Sequence, residues 1–168
     1  MTELISTKLN NFTIRFAEEK DAALILEFIK RLAKYEKLED EVVATKDILI
    51  KNLFQHKYAE VIIGEYDESP VAFALFFHNF STFLGQPGLY LEDLFVKPEI
   101  RGKGIGKLML AFLAKLALER NCGRLEWWCL DWNEPSIEFY KSMGAIPMDE
   151  WTTFRVDGQS LKSLSEKF

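Results

Sequence analysis

The sequence predicts an α/β domain with a mixed central sheet flanked by helices. Three observations predict it. Short runs with two-residue apolar spacing alternate with longer runs at three- and four-residue spacing, the strand and helix periods. Two of the short runs flank the turn-forming Asp67-Glu68-Ser69-Pro70, so part of the sheet is an antiparallel hairpin. Hydrophobic residues make up 48% of the 168 residues, enough for one fully cored domain over 1–168 and too many for a disordered chain.

In chain order, Phe12-Thr13-Ile14-Arg15-Phe16 alternates as a strand. Asp21 stands where a cap belongs, before a helix whose apolar stripe is Leu24, Ile25, Phe28, Ile29 and Leu32. Tyr35 to Glu41 is polar and reads as a loop, and Thr45 with Ile48, Leu49 and Leu53 marks a shorter helix. Ala59–Gly64 and Val71–Phe77 are the hairpin strands, and Leu89–Val96 is a further buried strand. Lys107–Glu119 is a helix with Leu108, Phe112, Leu113 and Leu116 on its face, stopped by Asn121 and Gly123. Leu125–Leu130 is a strand, with Trp127 and Trp128 packing on its two faces. Asn133 caps a short helix through Tyr140, with Pro135 in its first turn and Gly144 beyond its end. Thr152–Val156 is placed to close the sheet.

Composition excludes several function classes. A net charge of −5 without a basic cluster opposes a nucleic-acid partner, because phosphate backbones are held by grouped Lys and Arg. The first residues contain no apolar signal core, and the run Val71–Phe77 is far too short to span a bilayer, so a cytoplasmic protein with no membrane partner is expected. Cys122 and Cys129 have neither zinc spacing nor a disulfide framework, His56 and His78 are isolated, and no metal site is expected.

Two segments carry chemistry. Arg101-Gly102-Lys103-Gly104-Ile105-Gly106 follows a strand and opens a helix. Its glycines let successive N–H groups converge on one anion, the helix dipole adds attraction, and Arg101 and Lys103 add charge. The spacing fits neither the Walker A loop nor the dinucleotide fingerprint. Just before it, Glu92 and Asp93 interrupt the apolar strand. Neighbours on a regular strand face opposite sides, so one carboxylate would enter the core. Either it finds an internal partner, or a bulge turns both acids toward one cavity; a strand that splays there frees backbone N–H groups for a ligand.

Arg101-Gly-Lys-Gly-Ile-Gly106 resembles the acetyl-CoA loop of the GCN5-related N-acetyltransferases, and Trp132-Asn-Glu-Pro-Ser-Ile-Glu-Phe-Tyr-Lys141 with Gly144-Ala145 resembles the C-terminal motif of that superfamily. Leu32–Glu36, Tyr90–Asp93 and Trp132–Ser136 are similar to the spermidine/spermine (diamine) acetyltransferase branch, while Ser81–Pro87 and Leu130–Asn133 are closer to the sister branch of thialysine and amino-acid-amine acetyltransferases. The resemblance implies the fold of that superfamily, a mostly antiparallel sheet splayed at Leu89–Val96. It implies an acetyl-CoA-dependent N-acetyltransferase acting on a small cationic amine, as a homodimer. It implies that Leu94, Phe95, Val96, Arg101, Gly102, Lys103, Gly104, Ile105, Gly106, Asn133, Tyr140 and Lys141 hold acetyl-CoA. It implies Tyr140 as general acid, Glu92 as linked to amine deprotonation through water, and Tyr35, Glu36, Glu92, Asp93 and Trp132 as the lining of the amine site. Acetylation of protein lysines or N-termini, or a non-catalytic acetyl-CoA sensor, is the alternative reading.

Overall fold

The computed structural model describes residues 3–168 and divides into two compact units, one ending at Trp128 and the other running Cys129–Phe168. The first unit is built on a six-stranded sheet whose strands lie side by side in chain order. They are β1 (Ile5–Ser6), β2 (Phe12–Phe16), β3 (Glu60–Tyr66), β4 (Ser69–Ser81), β5 (Gln86–Val96) and β6 (Leu125–Trp127). Every neighbouring pair is antiparallel except β5 and β6, which run parallel. The expected hairpin is β3–β4, and Asp67 and Glu68 both take positive φ (47° and 61°), the turn that matches strand twist. Ser69 and Pro70, expected in the turn, begin β4 instead, and a register shift at Gly64/Glu65 accommodates them.

Helix α1 (Ala22–Glu36) buries Ile25, Phe28 and Leu32 on the sheet face carrying Val61, Phe73 and Phe95. Phe28 stacks on Phe73 with ring centroids 5.4 Å apart. Asp21 does precede α1, but its carboxylate accepts from both Arg15 Nη atoms (2.7 and 3.0 Å) and from Glu18 N–H, rather than capping the helix. The helix runs on through Tyr35 and Glu36, which were expected in a loop; Lys37 in the left-handed region stops it. Next, α2 (Lys46–Leu49) passes into a π-helical turn, Ile50–Gln55. On the opposite sheet face lies α3 (Ile105–Glu119), with Met109 against Gly64, where a Cβ would stand 2.7 Å from the Phe12 ring and 3.1 Å from Met109 Sδ. Helix α3 starts two residues earlier than its polar entry suggested, because Gly104 forms the N-cap.

Strand β6 ends at Trp127, three residues short of the expected Leu130. Its parallel partner register stops at Leu91↔Trp127, immediately before Glu92. The second unit contains α4 (Glu134–Ser142) and α5 (Gly158–Ser165), the latter not foreseen. Thr152–Val156 is not a strand: alternation yields a strand only where a ladder partner exists, and none is found among the described residues.

Candidate active site

A one-residue bulge organises the acidic centre. In the β4–β5 ladder Leu75 opposes Asp93 while Phe76 opposes Leu91, so Glu92 is the extra residue with nothing opposite it. Without it, Tyr90 and Asp93 would face opposite sides. With it, both share the face of Phe77 and Leu75, the face on which α1 packs. Asp93 is half-buried, and its carboxyl is pushed up to about 6 by burial first, then by the charges of Glu92 and Glu36. Burial likewise raises Glu36, which the last turn of α1 carries. The charges of Glu92 and Glu36 thus reach Asp93, and none of the three carboxylates has an ion-pair or hydrogen-bond partner of opposite charge among the described residues. Of the two outcomes open to the sequence, the bulge is the one realised. Tyr90, given no role from sequence, is half-buried beside them, its phenol raised to about 12 by burial, then Glu92, then Glu126. The signal for it was the same bulge, which decides the face on which Tyr90 appears.

Beyond the bulge, β5 has lost β6. Lys97 N–H bonds to the Val71 carbonyl, so alternation turns the backbone groups of Leu94 and Val96 away from β4, toward the side where β6 no longer runs. Consistent with that, the Val96 carbonyl accepts instead from Arg101 Nε at 3.1 Å, and Phe95 faces the core. After a single 3-10 turn at Pro98–Ile100, the glycine loop takes the shape its composition implies. Gly102 (φ 84°) and Gly104 (φ 80°) are left-handed, with nothing within 4 Å of where a Cβ would stand, so conformation rather than space requires glycine there. No side chain caps α3, so the N–H groups of Ile105, Gly106 and Lys107 are available to an anion. Lys103 Nζ lies 5.2 Å from the Tyr66 ring centroid, and the Arg101 guanidinium 4.8 Å from that of Tyr35. The contact with Tyr35 ties the loop to the end of α1, a link that sequence spacing does not reveal.

In the second unit, α4 carries the other expected residues. Asn133 is buried at 6% exposure, and its carbonyl accepts from Ser136 and Ile137 N–H, so the backbone opens the helix; no side-chain cap bond is made. Tyr140 is half-buried, its ring 5.4 Å from that of Phe139. Lys141 is exposed and pairs with Glu138 at 3.3 Å, and Trp132 is exposed.

The Acetyltransferase (GNAT) family model matches residues 24–145, a span that contains the glycine loop, the bulge and α4. Thialysine N-epsilon-acetyltransferase of Bos taurus is 35% identical over 166 residues, covering 92% of this chain and 97% of that protein. The human spermidine/spermine N(1)-acetyltransferase-like protein 1 is 30% identical over 170 residues, covering 95% of this chain and 24% of that protein. Among solved structures, an integron cassette protein of V. cholerae superposes with a TM-score of 0.79 at 27% identity, covering 93% of this chain and 98% of that one. With the mostly antiparallel sheet, the parting of β5 from β6 and the glycine cradle at the head of α3, these matches place the chain in the GNAT family of acetyltransferases.

Proposed function

We propose that the protein transfers the acetyl group of acetyl-CoA to a primary amine of a small cationic acceptor of the polyamine, thialysine or ornithine type. The observation that carries this reading is the bulge at Glu92, which gathers carboxylates lacking cationic partners at the point where β5 parts from β6. The residues present fit the cofactor: the cradle of Gly102, Lys103, Gly104, Ile105 and Gly106 with Arg101 suits its pyrophosphate, and the outward backbone groups of Leu94 and Val96, next to Phe95, suit its amide-bearing arm. The resemblance adds Asn133, Tyr140 and Lys141 to the residues assigned to the cofactor. When bound, acetyl-CoA supplies the activated acetyl thioester.

The chain's own residues handle the acceptor and its protons. An alkyl amine with a pKa near 10.4 arrives protonated and non-nucleophilic. Glu36 and Asp93 hold its positive charge, and the resemblance assigns Tyr35 and Trp132 to the same acceptor. Glu92, exposed at the bulge, takes the reacting proton through water. The division matters, because a carboxylate that merely attracts an ammonium also keeps it protonated. The Tyr140 hydroxyl holds the proton that the leaving sulfur needs. Both units belong to this one activity, and the resemblance supports a cytoplasmic homodimer.

The test is coenzyme A release across spermidine, putrescine, thialysine, ornithine, lysine and a lysine peptide. Release with a small amine is expected; release with the peptide alone overturns the small-acceptor reading. In the same assay Tyr140→Phe, which keeps the ring, is expected to lower kcat about 100-fold with little change in acetyl-CoA affinity. An undiminished kcat with chemistry rate-limiting removes Tyr140 from the acid role.

A further inference from the structure

Arg101 opens the glycine loop, yet its side chain reaches back to β5. The cause is local. Ile100 N–H bonds to the Lys97 carbonyl at 3.0 Å and Arg101 N–H to that of Pro98 at 3.2 Å, which folds the chain over the end of the strand. Arg101 leaves this turn extended (φ −61°, ψ 158°). Its Nε donates to the Val96 carbonyl at 3.1 Å, and its guanidinium carbon stands 4.8 Å from the Tyr35 ring centroid and 5.9 Å from that of Phe95. It makes no ion pair among the described residues, so its charge rests on a neutral oxygen and two rings. Lys103 differs: its Nζ lies 5.2 Å from the Tyr66 ring centroid and makes no hydrogen bond to β5 among the described residues.

The oxygen that Arg101 holds has a second claimant. The Val96 carbonyl faces the open edge of β5, past its last rung with β6, where the amide-bearing arm of the cofactor is assigned. An amide N–H of that arm and Arg101 Nε compete for this acceptor, and the guanidinium stands on the same open side of the strand. A pyrophosphate in the glycine cradle changes the balance. It offers the guanidinium charged oxygens, and bonds to an ionised acceptor are roughly twice as strong as bonds to a neutral one. Exchange of the carbonyl for phosphate therefore favours withdrawal of the side chain. A thioester that carries the arm without the pyrophosphate offers no such exchange.

Resting on the acetyl-CoA reading, we propose that Arg101 is a latch that sets donor specificity: seated on Val96 and Tyr35, it closes the open edge of β5 to thioesters that lack a pyrophosphate and withdraws for those that carry one. The side chain thus opposes the arm and favours the phosphates, two effects of opposite sign from one residue.

The experiment measures, by calorimetry on the full-length protein, the affinities of acetyl-CoA and of acetylpantetheine, which carries the same arm and thioester without phosphate. Arg101→Ala is expected to bind acetylpantetheine about tenfold more tightly than the wild type. It is expected to bind acetyl-CoA about threefold more weakly, because the phosphate bonds it loses outweigh the latch it removes. Lys103→Ala deletes an equal charge and is expected to weaken acetyl-CoA without strengthening acetylpantetheine. Both residues are exposed, so neither variant threatens the fold. A merely structural role for Arg101 would move both ligands in the same direction. Acetylpantetheine bound no more tightly by Arg101→Ala than by the wild type overturns the latch, undetectable binding to both included. An equal gain in Lys103→Ala overturns it too, since loop charge rather than the bond to Val96 then sets the affinity. Failure of the wild type to bind acetyl-CoA overturns the acetyl-CoA reading and the latch together; acetyl-CoA binding without the acetylpantetheine gain overturns the latch alone.

Discussion

Asp93 is the residue whose surroundings most constrain what it does. Its carboxyl titrates near 6 in the folded chain, against about 4 for a free aspartate, so the folded state holds that proton more tightly than the unfolded one. Stability therefore falls as pH rises from about 4 to about 6 and stays lowered above that. Asp93→Asn removes the penalty. After discounting for partial exposure, a gain of roughly 1–2 kcal/mol at pH 7.5 is expected from thermal unfolding, with no gain below pH 4. A destabilised variant at pH 7.5 would show that the carboxylate is internally satisfied. On the proposed function the same titration acts on acceptor binding: KM for a cationic amine should rise as pH falls through about 6, since Glu92 and Glu36, whose charges act on Asp93, then act without it. A KM flat from pH 5 to 8 would remove Asp93 from the amine site. The adjacent acids in an apolar strand were legible as an anomaly. Which of them would be inward was not, because that depends on whether the extra residue lies before or after Asp93.

At the scale of elements, the glycine loop shows its backbone need in its composition, because left-handed residues at Gly102 and Gly104 are a local requirement written locally. Gly104→Ala meets open space but not an easy backbone, and about 1 kcal/mol of strain is expected. Its consequence should be read in acetyl-CoA affinity, about tenfold weaker by calorimetry, since the N–H groups that open α3 depend on that cap. Unchanged affinity would take the loop backbone out of phosphate binding. Gly64 is the contrasting case. Nothing near it in sequence marks it as special, yet it is the point where Phe12 of β2 and Met109 of α3 close on β3, and Gly64→Ala drives a methyl into the buried Phe12 ring. A loss of about 1–3 kcal/mol in chemical denaturation is expected, and a neutral result would show that Phe12 and Met109 repack freely. The contact of Arg101 with Tyr35 belongs to the same class: loop shape is local, while the side chain's neighbour comes from α1.

For the whole molecule, the sheet order follows chain order, which is why the strand sequence was readable with so little topology to guess. The failures lie where pairing decides. Leu125–Leu130 was curtailed because its parallel ladder stops at the bulge, and Thr152–Val156 has strand periodicity without a strand beside it. The second unit extends that point. From Cys129 to Phe168 no apolar side chain is buried, while Trp151 is 72% and Phe154 91% exposed. A segment of that composition with no interior is not held by its own packing, and α5, at eight residues, is too short to persist on propensity alone. A second copy of the chain covering these residues accounts for both facts and accords with the proposed homodimer. Sedimentation is then expected to give twice the 19.5 kDa chain mass, with a melting temperature that rises with protein concentration. Trp151→Asp with Phe154→Asp should shift the protein to monomer and flatten that dependence, leaving the spectroscopic signature of the six-stranded unit in place. A wild-type protein monomeric at every concentration, with a constant melting temperature, would refute the dimer and leave the exposed rings to some other cover.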